Sequence, residues 1–217
     1  MTDKIEDAYR TSKNIYDGVL TQGNLFARIY INFFWGGTDD VAIAQKLLSF
    51  IPDDFSGKIL DVPCGTVVFT ADKWLKLEQS DIVCLDYSID MLQQAEKRVG
   101  EVAHITLKQG DVWALPFDNQ SFDIVMSMNG FHAFPDKMKA FDEMCRVLKT
   151  GGKFISCFYI KGKLRRTDWL VRKILARKGW FTPPFHTEDE VREVLSARYS
   201  KVEINTDNAI LWCVCEK

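Results

Sequence analysis

From residue 58 onward the chain alternates short, nearly continuous apolar runs with longer stretches in which apolar residues recur every three to four positions. The first kind suits strands covered on both faces, the second amphipathic helices with one face on a core. The pattern predicts strands at 58–62, 82–86, 105–109, 122–128 and 153–159, and helices at 39–50, 67–77, 88–99, 138–149 and 187–197. Two further runs, 201–205 and 209–216, predict a terminal hairpin. Several boundaries carry their own signals. Ser88 and Thr187 each precede acids in a first helical turn, where a hydroxyl caps free N–H groups and negative charge meets the positive helix end. Gly151-Gly152 is expected to stop the fourth helix. Strand alternating with helix predicts an α/β fold with right-handed crossovers, built as one domain over 1–217.

Two segments depart from that pattern. Residues 1–38 carry Tyr9, Tyr16, Phe26, Tyr30, Phe33, Phe34 and Trp35, more aromatic surface than is stable in water. They are expected to fold back, as a helix over a sheet edge or as a lid above the active site, and both readings stand. Residues 161–178 hold Lys161, Lys163, Arg165, Arg166, Arg172, Lys173, Arg177 and Lys178 against Asp168 alone, interleaved with Leu164, Trp169, Leu170, Val171, Ile174 and Leu175. The stretch 161–178 therefore reads as a basic amphipathic helix, and the insert 161–186 as a cover with its apolar face on the domain. An anionic or lipid-like substrate, or a membrane surface contact, is the other reading.

Composition narrows the function. With 28 basic and 30 acidic residues the formal charge is -2, and no nucleic-acid partner is expected. Acids follow Met1 where a secretory signal would be apolar, and no run is long enough to span a bilayer, so a soluble cytoplasmic protein without a transmembrane segment is expected. The six cysteines form no Cys-x-x-Cys pair and read as buried free thiols. His104, His132 and His186 stand at no metal-ligand spacing, so no metal is expected.

The sharpest local feature is Lys58-Ile59-Leu60-Asp61-Val62-Pro63-Cys64-Gly65-Thr66, a buried strand running into an acid and a glycine turn. Gly65 lets backbone approach a nucleotide-type ligand at a strand tip. A second strand ends at Asp86, about 20 residues beyond the glycine, the spacing at which a carboxylate meets ribose hydroxyls. A nicotinamide dehydrogenase would need Gly-x-Gly-x-x-Gly, and this turn has Gly65 alone. Taken singly, Asp86 and Asp111 also read as caps or turn residues.

Taken in order, successive stretches resemble the class I S-adenosylmethionine-dependent methyltransferases. Asp61 to Thr66 is similar to the family's first motif, and Leu85-Asp86-Tyr87-Ser88-Ile89-Asp90-Met91-Leu92 to its second. Gln109-Gly110-Asp111-Val112-Trp113-Ala114-Leu115-Pro116-Phe117 resembles its Gly-Asp-x-x-x-Leu-Pro-Phe segment. Ser121-Phe122-Asp123-Ile124-Val125 and Arg146-Val147-Leu148-Lys149-Thr150-Gly151-Gly152 resemble its fourth strand and the helix end before the fifth. The resemblance implies a doubly wound, Rossmann-like seven-stranded sheet, mostly parallel with an antiparallel C-terminal strand and helices on both faces. It implies S-adenosylmethionine as cofactor. Asp61 would approach the methionine amino group, with backbone at Pro63, Gly65 and Thr66 against the cofactor. Asp86 would accept the ribose hydroxyls, with Tyr87 and Met91 near the ribose or adenine. Asp111 would accept from the adenine amino group, with Val112 and Trp113 flanking the ring, and Met128 and Asn129 would lie near the reacting methyl. Two departures stand out: Pro63 replaces a glycine, and so does Val67, whose β-branch resists a left-handed backbone.

The segment after the fourth strand bears on the methyl acceptor. Ser127-Met128-Asn129-Gly130 lacks the two prolines of base-amine methyltransferases, and no paired-glutamate loop of the protein-arginine branch comes after it. A small, partly apolar methyl acceptor is expected, with loose similarity to the quinone-biosynthesis C-methyltransferases through Leu115-Pro116-Phe117 and Ile15-Tyr16-Asp17. His132 is the candidate general base, beside a packing reading of the same residue. Tyr16, Trp35 and His132 are candidates to line the substrate pocket, the first two if the aromatic segment is a lid. A catalytically silent cofactor-binding domain and an RNA or protein methyltransferase are the alternatives.

Overall fold

The computed structural model of the chain describes residue 30 and residues 32–217. Ser88 and Thr187 act as the pattern requires. The Ser88 hydroxyl accepts from the Met91 N–H at 3.4 Å, and Thr187 and Glu190 form a reciprocal pair of hydrogen bonds at 3.3 and 2.7 Å. Each satisfies an N–H that the first helical turn leaves free. In chain order the elements are α1 (Asp40–Leu48), β1 (Lys58–Asp61), α2 (Ala71–Lys76), β2 (Asp81–Asp86), α3 (Ile89–Val99), β3 (Ile105–Gln109), β4 (Phe122–Met128), α4 (Lys137–Val147), β5 (Leu148–Tyr159), α5 (Arg165–Leu170), α6 (Glu188–Ser196), β6 (Lys201–Asp207) and β7 (Ile210–Glu216).

The strands form one seven-stranded sheet in the order β3-β2-β1-β4-β5-β7-β6. β1 to β5 pair in parallel, and β7 runs antiparallel to both β5 and β6. This is the expected α/β sheet with its terminal hairpin. Along β1, Ile59 belongs to one apolar layer with Ile43, Leu47, Trp74 and Leu92, and Leu60 to the other with Phe131, Phe141, Met144 and Leu195. Because successive side chains of a strand point to opposite faces, an apolar run is what a sheet covered on both sides demands. β1 lies between β2 and β4, where the winding of the sheet reverses, and that reversal opens a crevice at the strands' C-terminal ends.

Three expectations are corrected. Gly151-Gly152 does not stop a helix: α4 ends at Val147, and the glycines lie within β5. There the register with β4 slips, Phe122 facing Leu148 while Ile124 faces Lys153. Gly151, at φ 76, donates to the carbonyl of Lys217, so sheet pairing with the chain's end overrides the local stop signal. The second helix is shorter than 67–77, because residues 66–70 are turns around Val67 at φ 51. The basic stretch 161–178 is not one continuous α-helix: α5 passes at Val171 into a π-helical turn, Val171–Leu175.

Candidate cofactor site

Two acids end adjacent strands and are both buried. Asp61, the last residue of β1, accepts from Thr70 Oγ1 and Trp74 Nε1, each at 2.9 Å and each through Oδ2. Among the described residues nothing bonds to its Oδ1. Burial pushes the Asp61 carboxyl up to about 6, against the hydrogen bonds of Trp74 and Thr70, which lower it, and with the charge of Asp86, which raises it. Asp86, the last residue of β2, accepts from the Gly65 N–H on Oδ2 and the Ser88 N–H on Oδ1, both at 2.8 Å. Burial raises it to about 6 as well, opposed by those backbone donors. Each carboxylate oxygen has a second lone pair, so Asp86 can still take a pair of ligand hydroxyls.

Between these acids opens a cleft of about 1100 Å³, solvent at its mouth included. Asp61, Pro63, Gly65, Thr66, Asp86, Tyr87, Met91, Asp111, Val112, Trp113, Met128 and Asn129 all line it. The structure thus brings the twelve residues expected at the cofactor into one concavity. Gly65 stands at φ 54 with no atom within 4 Å of where a Cβ would be, so its free face is open to a ligand. Asp111 turns its own loop, accepting from the Trp113 N–H at 2.9 Å, while Trp113 Nε1 donates to the carbonyl of Asp136 at 2.8 Å. Pro63 has a counterpart that sequence reading missed. A Cβ on Gly130 would lie 2.3 Å from the Pro63 ring, so the glycine after Asn129 makes room for the proline. Val67 does adopt the left-handed backbone that its β-branch resists, and it is 2 % exposed on the cleft wall. Such a residue costs on the order of 1–3 kcal/mol and persists because the surroundings hold it.

The tip of β4 is assembled differently. Asn129, at φ 52, ties the tip of β4 to β5 through its N–H to Cys157 O at 2.8 Å, and its Nδ2 donates to Asp40 Oδ1 at 3.4 Å. Burial raises the Asp40 carboxyl to about 6; Asn129 lowers it, and the charges of Asp39 and Asp207 raise it further. Asp40 was not legible beforehand, since Asp39-Asp40 reads as a helix start and Asn129 is 89 positions away. Trp35 and His132 come together, but beside the cleft. Phe181 stacks on His132 at 4.0 Å and meets Trp35 at 6.0 Å, with Tyr159 6.0 Å from Trp35. His132 is 7 % exposed, its Nδ1 has no partner among the described residues, and burial with the nearby Lys137 charge lowers it to about 3. Both effects favour its neutral form. Tyr16 and most of the aromatic segment lie outside the described residues. Among the described residues no three His, Cys, Asp or Glu side chains gather as metal ligands.

Comparison with known proteins bears directly on this cleft. Residues 60–156, from β1 to within β5, match the family described as Methyltransferase domain. Over that span the chain is similar to class I methyltransferase domains. An uncharacterized chloroplastic methyltransferase of Arabidopsis thaliana is 30% identical over 150 residues, 66% of this chain and 42% of that protein. A demethylmenaquinone methyltransferase of Staphylococcus carnosus is 41% identical over 96 residues, 44% of this chain and 40% of that protein. The match thus spans about two fifths of each relative's length. Among solved structures, a methyltransferase of Thermotoga maritima described as a possible histamine N-methyltransferase superposes with TM-score 0.71 at 15% identity, covering 98% of this chain and 99% of that one. A geranyl diphosphate methyltransferase, solved with its substrate and sinefungin, gives TM-score 0.63 at 14% identity over 80% and 75%. At such identities the chain shares a fold with these structures, and the likeness stops there.

Proposed function

We propose that the protein transfers a methyl group from S-adenosylmethionine to a small, partly apolar molecule in the cytoplasm, by in-line displacement. The observation that carries the reading is the pair of buried, raised carboxylates, Asp61 and Asp86, on either side of the open face of Gly65. Buried acids without basic partners are costly to a fold and gather where a ligand is to meet them. They fit this cofactor. Asp61 Oδ1 would take the methionine ammonium, Asp86 the ribose hydroxyls and Asp111 the adenine amino group, with Met91, Val112 and Trp113 against the ring. When bound, S-adenosylmethionine supplies a methyl group on a good sulfonium leaving group, so positioning is the main work left to the protein. The close packing of Pro63 on Gly130 and the Asn129 link to β5 support the cleft wall, and Phe134 and Pro135 add apolar surface to its lining. That apolar lining, and the quinone acceptor named for the bacterial relatives, support a partly apolar substrate.

Calorimetric titration of the full chain with S-adenosylhomocysteine, run against NAD, tests the cofactor; binding of the first and not of the second is expected. Incubation with radiolabelled S-adenosylmethionine and a metabolite extract tests the reaction, with label expected in small apolar products. Tight binding without transfer would leave a silent cofactor-binding domain, and NAD binding in its place would sink the reading.

A further inference from the structure

The insert after β5 carries a surface that the cleft does not use. Arg165, Arg166, Arg172 and Lys173 are exposed, and they stand four and three positions before and three and four after Trp169. They flank in sequence the indole of Trp169, which is itself 53% exposed, Arg165 and Arg166 from the same α-helix and Arg172 and Lys173 from the π-helical turn that follows it. Arg166 lies 4.9 Å over the ring of Phe33, 52% exposed, and Ile174, 36% exposed, adds an aliphatic side chain at the margin. None of these four cations is ion-paired among the described residues, whereas Lys161 and Lys163 at the start of the insert are bound to Glu190 and Glu188. Asp168, the one acid of the stretch, faces inward and accepts from Tyr159 Oη at 2.6 Å and the Gly162 N–H at 3.0 Å. The opposite face is anchored: Leu170, Val171 and Leu175 are buried, and Thr167 Oγ1 donates to the carbonyl of Phe34. A protein of net charge -2 thus gathers cations that are unpaired among the described residues beside exposed apolar side chains on an anchored face.

We propose that this face is a docking surface for an anionic lipid bilayer, with Trp169 at the headgroup level and the flanking cations on lipid phosphates. Cations flanking an indole fit a surface that is negative outside and apolar a few ångströms deeper. Exposed Trp169, Phe33 and Ile174 beside these cations give the mixture of charge and apolar surface that an interfacial contact requires. A polyanion such as RNA would also meet the cations and would stack on Trp169 or Phe33, whereas the aliphatic Ile174 adds surface that suits a bilayer; the test separates the two. No helix of the described residues is long and apolar enough to cross a membrane, so the contact is peripheral.

Co-sedimentation of the full chain with phosphatidylcholine vesicles, with and without phosphatidylglycerol, reads the proposal. Binding only to the anionic vesicles, weakened by added salt, is expected. The combined change Arg165→Ala, Arg172→Ala and Lys173→Ala should lower the partition coefficient about 100-fold. Trp169→Ala should lower it about tenfold with a blue-shifted indole emission lost. All four side chains are exposed, and an unchanged thermal midpoint checks that each variant is folded. Equal binding to both kinds of vesicle, none to either, or unaltered binding by the variants overturns the proposal. So does binding of single-stranded RNA as tightly as vesicles, if the charge variant abolishes it and Ile174→Ala does not.

Discussion

At the C-terminal edge of the sheet Asp61 and Asp86 are pushed up to about 6 by burial, while at the opposite edge Asp123 is drawn below the usual carboxylate range. Burial works to raise Asp123 as well, but the Lys149 ammonium at 2.8 Å and the Lys58 N–H at 2.8 Å outweigh it. The two ends of one sheet therefore give two treatments of one functional group, Asp61 and Asp86 closing β1 and β2 and Asp123 near the start of β4. The N-terminal edge matches each acid to a cation or a donor, as with Lys58 and Asp81 at 3.4 Å, and is built for the fold. The cleft edge buries acids with oxygens to spare and adds left-handed Val67 and Asn129. Unmet hydrogen-bonding capacity beside backbone strain marks the edge that awaits a ligand.

The largest break in this contrast is Asp86→Ala. It removes two charge-assisted acceptors, and calorimetry should find S-adenosylhomocysteine affinity lowered at least about 100-fold. Gly130→Ala comes next, since its Cβ would meet the Pro63 ring at 2.3 Å and the turn must shift. Overpacking of this kind costs about 1–3 kcal/mol, to be read from urea midpoints, and cofactor affinity should fall with it. Asp61→Asn sharpens the electrostatic half. A carboxyl raised by folding keeps its proton to higher pH than in the unfolded chain, so its stability contribution is best below about pH 4 and declines as pH rises through about 6. The asparagine variant should therefore gain on the parent across that window, by on the order of 2 kcal/mol at pH 8, while binding S-adenosylhomocysteine more weakly. Binding by the parent should weaken as pH falls through about 6, because the ligand needs the ionised acids. Smallest is Lys149→Ala at the other edge. Asp123 is partly exposed there, so thermal melts should show a loss of about 1 kcal/mol or less and calorimetry no change in cofactor binding.

Parts of this contrast were legible in the chain. The acids at 61 and 86 close apolar runs, and a strand ending in an acid beside a glycine is a local pattern that needs no distant partner to be read. The helix caps at Ser88 and Thr187 are local in the same sense. The matched edge was not legible, because Asp123 and Lys149 lie 26 positions apart and meet only once β4 and β5 pair. The companionship of Asp40 with Asn129 and of Pro63 with Gly130 was hidden for the same reason.

By itself, then, the sequence determined the order of strands and helices, the α/β class and the acids that end β1 and β2, since each rests on periodicity or capping within a few residues. The tertiary structure decided what those residues became. Sheet pairing drew Gly151-Gly152 into β5, Val67 took a left-handed backbone, the basic segment changed helix type at Val171, and burial rather than residue type raised Asp40, Asp61 and Asp86. Desolvation and long-range pairing depend on neighbours that only folding supplies, and they distinguish a cleft that awaits a ligand from an edge that is already satisfied.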